Sequence, residues 1–188
     1  MTTLHERVHF LKHAVLDPKV AAVTVSSRYV VNNVLRRIAK RIDLIIEYGP
    51  GQGVMTQALL PRLSSHGKLI AIESNHEFVK TLAHIRDPRI EVIQGNVQDV
   101  IPALKKRGIS GADLVVSSIP FSFIKTADRI KIIKDTHHLL GSQGSFIVYQ
   151  YSPLMYKPLK QFFANVSLAF EPRNFLPCFI MHAKKNSS

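Results

Sequence analysis

Two kinds of hydrophobic pattern alternate along the chain. Short apolar runs rich in Ile, Val and Leu occupy residues 43–48, 68–73, 89–94, 113–118 and 144–151. Runs of that length, bounded by polar, Gly or Pro positions, read as strands of a buried sheet. Two further β-rich pieces, 165–170 and 174–181, follow. Between the runs, apolar residues recur at helical spacing. Leu4, Val8, Leu11 and Val15 form one stripe, ending before Asp17-Pro18. Val31, Val34, Leu35, Ile38 and Ile42 form a second, predicted from a Ser26 or Ser27 cap to about Arg41. A third helix is predicted over 54–63, with Pro61 near its end, and a fourth from about Asn75. A fifth is predicted around 101–107 behind an Asp99 cap, and a sixth carries Ile130, Ile133, His137 and Leu140 before Gly141, with His137 as a packing residue. Strands alternating with helices imply an α/β fold, a mainly parallel seven-stranded sheet with helices on both faces.

Composition changes this picture in one respect. The 188 residues suit one domain over 1–188, with helices at 1–41 ahead of a sheet at 42–188 and enough chain for a substantial core. A hydrophobic fraction of 46% and a charged fraction of 20% are ordinary for a globular protein. The single Cys178 excludes an internal disulfide and a Cys-based zinc site. No apolar run approaches a membrane span, and no signal peptide is expected, because Lys12, Asp17, Pro18 and Lys19 interrupt every candidate apolar core. Charge is the informative number: 25 Lys+Arg against 13 Asp+Glu, or +12, favours an anionic partner, nucleic acid or membrane. The first stripe carries His5, Arg7, His9, Lys12 and His13 on its other side, a basic amphipathic helix suited to an anionic membrane surface or to packing over one end of the core. The histidine spacing alone does not make a metal site, since no carboxylate or Cys completes a ligand set, and no metal is expected.

The chemistry concentrates where the first strand ends. Glu47-Tyr48-Gly49-Pro50-Gly51-Gln52-Gly53 reads as strand, tight glycine-rich turn and helix start, the place where α/β proteins hold nucleotide-like ligands. Val54 stands where a dinucleotide-binding turn wants Gly or Ala, and no Lys-Ser/Thr follows Gly53, so neither a dinucleotide turn nor a P-loop fits. The second strand also ends in an acid, Glu73, 20 residues after Gly53, about the offset at which a carboxylate reaches ribose hydroxyls.

The alternating glycines behind an acid resemble motif I of class I S-adenosylmethionine-dependent methyltransferases. Further segments extend the likeness: Phe10-Leu11-Lys12 with Asp17-Pro18-Lys19, Ser26-Ser27-Arg28, Ile72-Glu73-Ser74-Asn75, Ser117-Ser118-Ile119-Pro120 and Arg173-Asn174-Phe175-Leu176-Pro177. Together they are similar to bacterial phospholipid N-methyltransferases, whose core resembles the rRNA adenine dimethyltransferases, across nearly the whole chain. The chain departs from that pattern at Val25, where proline is usual, and at Ser118, where glycine is expected.

The resemblance implies a Rossmann-like methyltransferase that is cytoplasmic, bound peripherally to the membrane, and active on the amine of phosphatidylethanolamine or a similar head group. It implies a cofactor site at Glu47, Tyr48, Gly49, Gly51, Gly53, Glu73, Ser74, Asn96, Val97 and Ser117, with the Asn96 side-chain oxygen accepting from the adenine amino group. Ser118, Pro120 and Phe121 are the implied catalytic loop. Tyr149 and Tyr151, with Phe121, offer aromatic faces to a cationic head group, and Arg28 and Arg173 offer guanidinium groups to a lipid phosphate. RNA, through an adenine amine, is the alternative acceptor. Against it stand the serine in the acceptor loop and the absence after Ser188 of residues for the further helical domain of the rRNA enzymes.

Overall fold

Seven strands form one sheet in the order β3-β2-β1-β4-β5-β7-β6 in the computed structural model, which describes residues 26–185. In chain order the elements are α1 (Arg28–Leu35), β1 (Ile42–Tyr48), α2 (Val54–Leu59), β2 (Leu63–Glu73), α3 (His76–Leu82), β3 (Ile90–Gln94), α4 (Val97–Lys106), β4 (Ala112–Ser117), α5 (Thr126–Leu139), β5 (Leu140–Gln150), α6 (Tyr156–Leu159), β6 (Asn165–Glu171) and β7 (Cys178–Lys184). Pairs among β1 to β5 are parallel, while β7 runs antiparallel to both β5 and β6. Chain order reverses between β1 and β4, so a crevice opens at the C-terminal ends of those central strands.

Both sheet faces are covered, which is why the central strands read as unbroken apolar runs. On one face Ile46, Tyr48, Ile70, Phe146 and Val148 pack with Ile101, Leu104, Ile132 and Ile133 of α4 and α5. On the other, Ile45, Leu69, Val116 and Ile147 pack with Val30, Val34, Met55 and Leu59 of α1 and α2. The strand period of two sends Tyr48 to the α4–α5 side, where its hydroxyl lies 3.1 Å from Thr136 Oγ1. Glu47 shares the opposite face with Ile45. At the other end of the sheet the Asp113 carboxylate accepts from the Asp43 and Leu44 amides at 2.9 and 3.0 Å, aligning the starts of β4 and β1.

Several boundaries differ from the expected ones. The Leu4–Val15 stripe and the histidines within it lie outside the described residues. Ser27 does cap α1, its hydroxyl accepting from Val30, but the helix ends at Leu35 rather than near Arg41. Past that point Arg36, Arg37, Lys40 and Arg41 outnumber apolar residues, and Ile38 is the one large apolar side chain left to hold another turn against the core. α2 stops at Leu59, where Pro61 turns the chain through a 3₁₀ turn, and β2 begins five residues earlier than expected, at Leu63 rather than Lys68. Asp99 is not the cap of α4. That position belongs to Asn96, with Asp99 one turn inside, where its charge suits the helix dipole. β5 begins at Leu140, so Gly141 lies within a strand and not behind a helix. Among the described residues no helix is long and apolar enough to cross a membrane.

The β4–β5 register shifts between Ala112 and Leu114, and Gly144 of β5 lies close against the Ala112 carbonyl. A Cβ there would lie 2.5 Å from the Ala112 carbonyl oxygen and 3.0 Å from Leu140 Cβ. Gly144→Ala is expected to cost about 1–3 kcal/mol and to lower the thermal midpoint by about 3–10 °C, measured by calorimetry, without altering the crevice at the far end of the strands.

Candidate functional site

The crevice between the ends of β1 and β4 is a cavity of about 430 Å³. One part is walled by the 49–52 turn, by Glu73, Ser74 and Asn75 after β2, and by Gly95, Asn96, Val97 and Gln98 after β3. The other is walled by the 118–124 loop, by Tyr149–Ser152 at the end of β5, by Asn174 and Cys178, and by Ser26 and Val30 of the α1 segment.

The first part is held open by Glu73. Its Oε2 accepts from the Gly51 amide at 3.0 Å and its Oε1 from the Asn75 amide at 2.8 Å. The carboxylate therefore ties the glycine turn to the end of β2. Helix α3 is capped by Asn75 and not by Glu73, with Asn75 Oδ1 accepting from Glu77. Gly49, Gly51 and Gly53 all take positive φ, but for different purposes. A Cβ at Gly51 would meet nothing within 4 Å, whereas one at Gly49 would strike Ile119 Cγ2 at 2.7 Å. Gly53 makes room for Leu82 and Ile85 and does not line the cavity. Asn96 occupies the cap position of α4 yet makes no capping bond, which leaves its exposed amide beside the cavity.

Glu47 and Tyr48, expected to touch a cofactor directly, do not line the cavity. Tyr48 faces the α4–α5 core because the strand alternation turns it away. Glu47 lies on the cavity's side of the sheet but is 1% exposed. Its Oε2 accepts from Thr56 Oγ1 at 2.7 Å, and its Oε1 has no hydrogen-bond partner among the described residues. Burial pushes this carboxyl up to about 7, the Thr56 bond opposing and the Glu73 charge adding to the rise. Ser117, also fully buried with an unpartnered Oγ, lies behind the wall rather than in it.

In the second part, Ser118 donates from Oγ to the Gly49 carbonyl and from its amide to the Tyr48 carbonyl, which binds the 118–124 loop to the glycine turn. Pro120 lines the cavity, as expected. Phe121 does not: the 3₁₀ turn at Phe121–Phe123 rotates it into the core, completely buried, and presents Phe123 instead. Gln150 braces this arrangement, its Oε1 accepting from the Phe121 amide at 3.2 Å and its Nε2 donating to the Ser152 carbonyl at 2.8 Å. Tyr149 and Tyr151 both line the cavity. Burial, with the Glu47 charge behind it, raises the Tyr149 phenol well above its ordinary value and keeps it protonated. Cys178 is pushed up to about 12 by burial, so it stands in the wall as a neutral thiol.

Arg28 and Arg173 are not in the cavity wall. Arg173 makes a two-pronged ion pair with Glu171, at 2.7 and 2.8 Å, which holds that carboxyl down at about 2. Both guanidinium groups stack on Tyr29, 5.0 Å from the ring centroid for Arg28 and 4.4 Å for Arg173. They stand beside the mouth, where Ser27 donates its amide to Asn174 Oδ1 at 2.9 Å. Gln150 and Phe123 had no motif to mark them. Asn174 had one, since it lies within the Arg-Asn-x-x-Pro segment.

Known proteins similar to the chain include lipid, RNA and other methyltransferases. The ornithine lipid N-methyltransferase of Singulisphaera acidiphila is 29% identical over 89% of this chain and 88% of its own length. Ribosomal RNA small subunit methyltransferase A of Caulobacter vibrioides is 32% identical over 48% of this chain, and that of Mycoplasma mycoides is 30% identical over 72%. The chain spans only 36% and 46% of those two proteins. The N-methyltransferase NodS of Bradyrhizobium japonicum, solved with S-adenosyl-L-homocysteine, shares the fold with a TM-score of 0.68 at 11% identity over 95% of this chain and 98% of that one. The sequence model of the ribosomal RNA adenine dimethylase family matches residues 19–128. The chain belongs to that family and is an S-adenosylmethionine-dependent N-methyltransferase.

Proposed function

We propose that the protein transfers a methyl group from S-adenosylmethionine to the amine of a lipid head group, phosphatidylethanolamine or a similar phospholipid. The observation that carries this reading is the extent of the match to a lipid N-methyltransferase, which runs over nearly the whole of both chains. The ribosomal RNA relatives are covered for less than half their length. RNA is the second reading, favoured by the family match and by the net charge of +12.

The residues present fit the cofactor. The space in front of Gly51 is one that a Cβ would enter, Glu73 retains lone pairs beyond its two amide bonds, and Asn96 has an amide that its helix does not use. Glu73 would hold the ribose hydroxyls, Asn96 the adenine amino group, and Gly49, Gly51, Ser74 and Val97 the flanking surface. Glu47, beneath the floor, supplies negative charge under a cationic ligand when ionised. When bound, S-adenosylmethionine supplies a methyl group on a sulfonium that needs no covalent activation by protein. The chain's contribution is alignment. Ser118 and Pro120 would position the acceptor nitrogen, and the apolar wall of Ile119, Phe123 and Ile124 favours its neutral form by desolvation. Tyr149 and Tyr151 offer aromatic faces to a methylated, cationic product.

Labelled S-adenosylmethionine, supplied with vesicles of phosphatidylethanolamine or of ornithine lipid and separately with ribosomal RNA, tests the assignment. Label in a lipid extract is the expected result, and label in RNA alone overturns it. Gly51→Ala places a Cβ in the proposed cofactor space at φ +55°. Calorimetric titration is expected to show cofactor affinity weakened about tenfold or more, with the strain costing only about 1 kcal/mol of stability.

Glu47 makes a separate prediction. Its folded pKa, about 7, lies above the ordinary 4.5, so the folded state retains a proton that the unfolded chain releases. The stability contributed by the neutral form is complete below 4.5 and is lost as pH rises to about 7. The cofactor-free protein should lose thermal stability across that window. Glu47→Gln, which can still accept from Thr56, should flatten the loss; a pH profile unchanged by the substitution would contradict the assignment.

A further inference from the structure

The mouth of the cavity carries large apolar side chains that the described fold leaves exposed. Phe123, on the turn after β4, is 39% exposed, Leu154 after β5 is 39% exposed, and Phe175 in the β6–β7 loop is 75% exposed. The turns bearing Phe123 and Leu154 pack against one another. Phe175 follows Asn174, which lines the cavity and holds Ser27 across its edge. All three tips therefore border the acceptor end of one opening. The other exposed large apolar residues among those described are Leu168 and Phe170 on the β6 edge and Val54 in the cavity wall.

Cations accompany each tip. Lys125 lies two residues from Phe123, Lys157 three from Leu154 and Arg173 two from Phe175, and Arg28 joins Arg173 through the shared Tyr29 ring. The carboxylate nearest in sequence to Phe175, Glu171, is buried and neutralised by Arg173. Exposed apolar tips beside Lys125, Lys157 and Arg28 match a surface that enters the head-group layer of a membrane, where burial of the tips and attraction to anionic lipid act together. An RNA-binding face would need a row of unengaged cations to meet phosphates. Here Arg173 is offset by Glu171, the other cations stand singly beside the tips rather than in a row, and Leu154 offers no ring on which a base could stack.

We propose that the rim formed by Phe123, Leu154 and Phe175 docks on an anionic phospholipid bilayer, so that the acceptor end of the cavity opens directly onto the lipid surface. The inference extends the lipid head-group reading given above, and its test is separable from it. The full chain carrying Leu154→Ser and Phe175→Ser, neither of which lines the cavity, is compared with the unaltered protein. Cosedimentation uses vesicles of phosphatidylethanolamine and phosphatidylglycerol, calorimetry gives cofactor affinity, and filter binding measures a ribosomal RNA fragment. Vesicle affinity is expected to fall about tenfold or more, with cofactor affinity unchanged. Phe175→Ser alone, at the most exposed position, should give a smaller loss in the same direction with no change in thermal midpoint. Unchanged vesicle affinity overturns the proposal. That holds also if the variants instead lose RNA binding or thermal stability. Loss of vesicle binding in the variant, with no lipid methylation by the unaltered protein, would uphold the docking surface and remove the phospholipid acceptor. Lipid methylation with vesicle affinity unchanged in the variant would do the reverse.

Discussion

The Glu73 carboxylate is the contact on which the geometry of the cavity depends. One oxygen holds the Gly51 amide and the other the Asn75 amide, so a single buried group fixes the glycine turn against the end of β2. Loss of that carboxylate would leave two backbone donors at the cavity edge without their acceptor. Parallel pairing aligns Glu47 with Ala71 and Tyr48 with Ile72, which brings the ends of β1 and β2 level and makes the bridge possible. On the other side Ser118 closes the turn against β4, its amide and hydroxyl donating to the carbonyls of Tyr48 and Gly49. The glycine turn is thus clamped from both neighbouring strands. A pocket built this way is formed before any ligand arrives, and alignment is what methyl transfer requires of a protein.

The sequence carried the sheet with little loss and the expected cofactor residues only in part, since Glu47, Tyr48, Gly53 and Ser117 do not line the cavity. Seven β-rich segments became seven strands, because runs buried on both faces are hard to mistake once glycine turns punctuate them. Glu73 was placed by its distance from the glycines and Asn96 by the family resemblance, and strand geometry brings both to the same crevice. Directions were less legible than positions. Tyr48 and Phe121 sit within the right segments, yet one strand step and one 3₁₀ turn point each of them into the core. No residue-type pattern records the phase of a loop after a strand ends. The two arginines show the complementary limit: their segments do reach the cavity mouth, but Glu171 and Tyr29 engage them, and those partners come from sequence positions that no motif connects.

Charge has a similar history. A net +12 on its own could not distinguish nucleic acid from membrane. Placement sharpens it, since the cations near the opening stand beside exposed Phe and Leu rather than in a continuous basic track. Family membership does not decide the matter either, because the family model matches residues 19–128, which hold the glycine turn, Glu73 and Asn96 but not Tyr149, Tyr151 or Asn174.

Gln150 explains how the loops after β4 and β5 act together. Its side chain accepts from the Phe121 amide and donates to the Ser152 carbonyl, and these bonds also fix which end of the amide faces which loop. The loop after β4 and the loop after β5 are thereby joined through one side chain that is itself 6% exposed. Phe123 on one loop and Leu154 on the other are carried by that shared support, as are Pro120 and Tyr151 inside the cavity. The two turns also pack against one another directly, so Gln150 is one of the links between the opening and the wall within it. The same brace therefore helps set both the inner surface of the cavity and the relative position of the tips at its mouth.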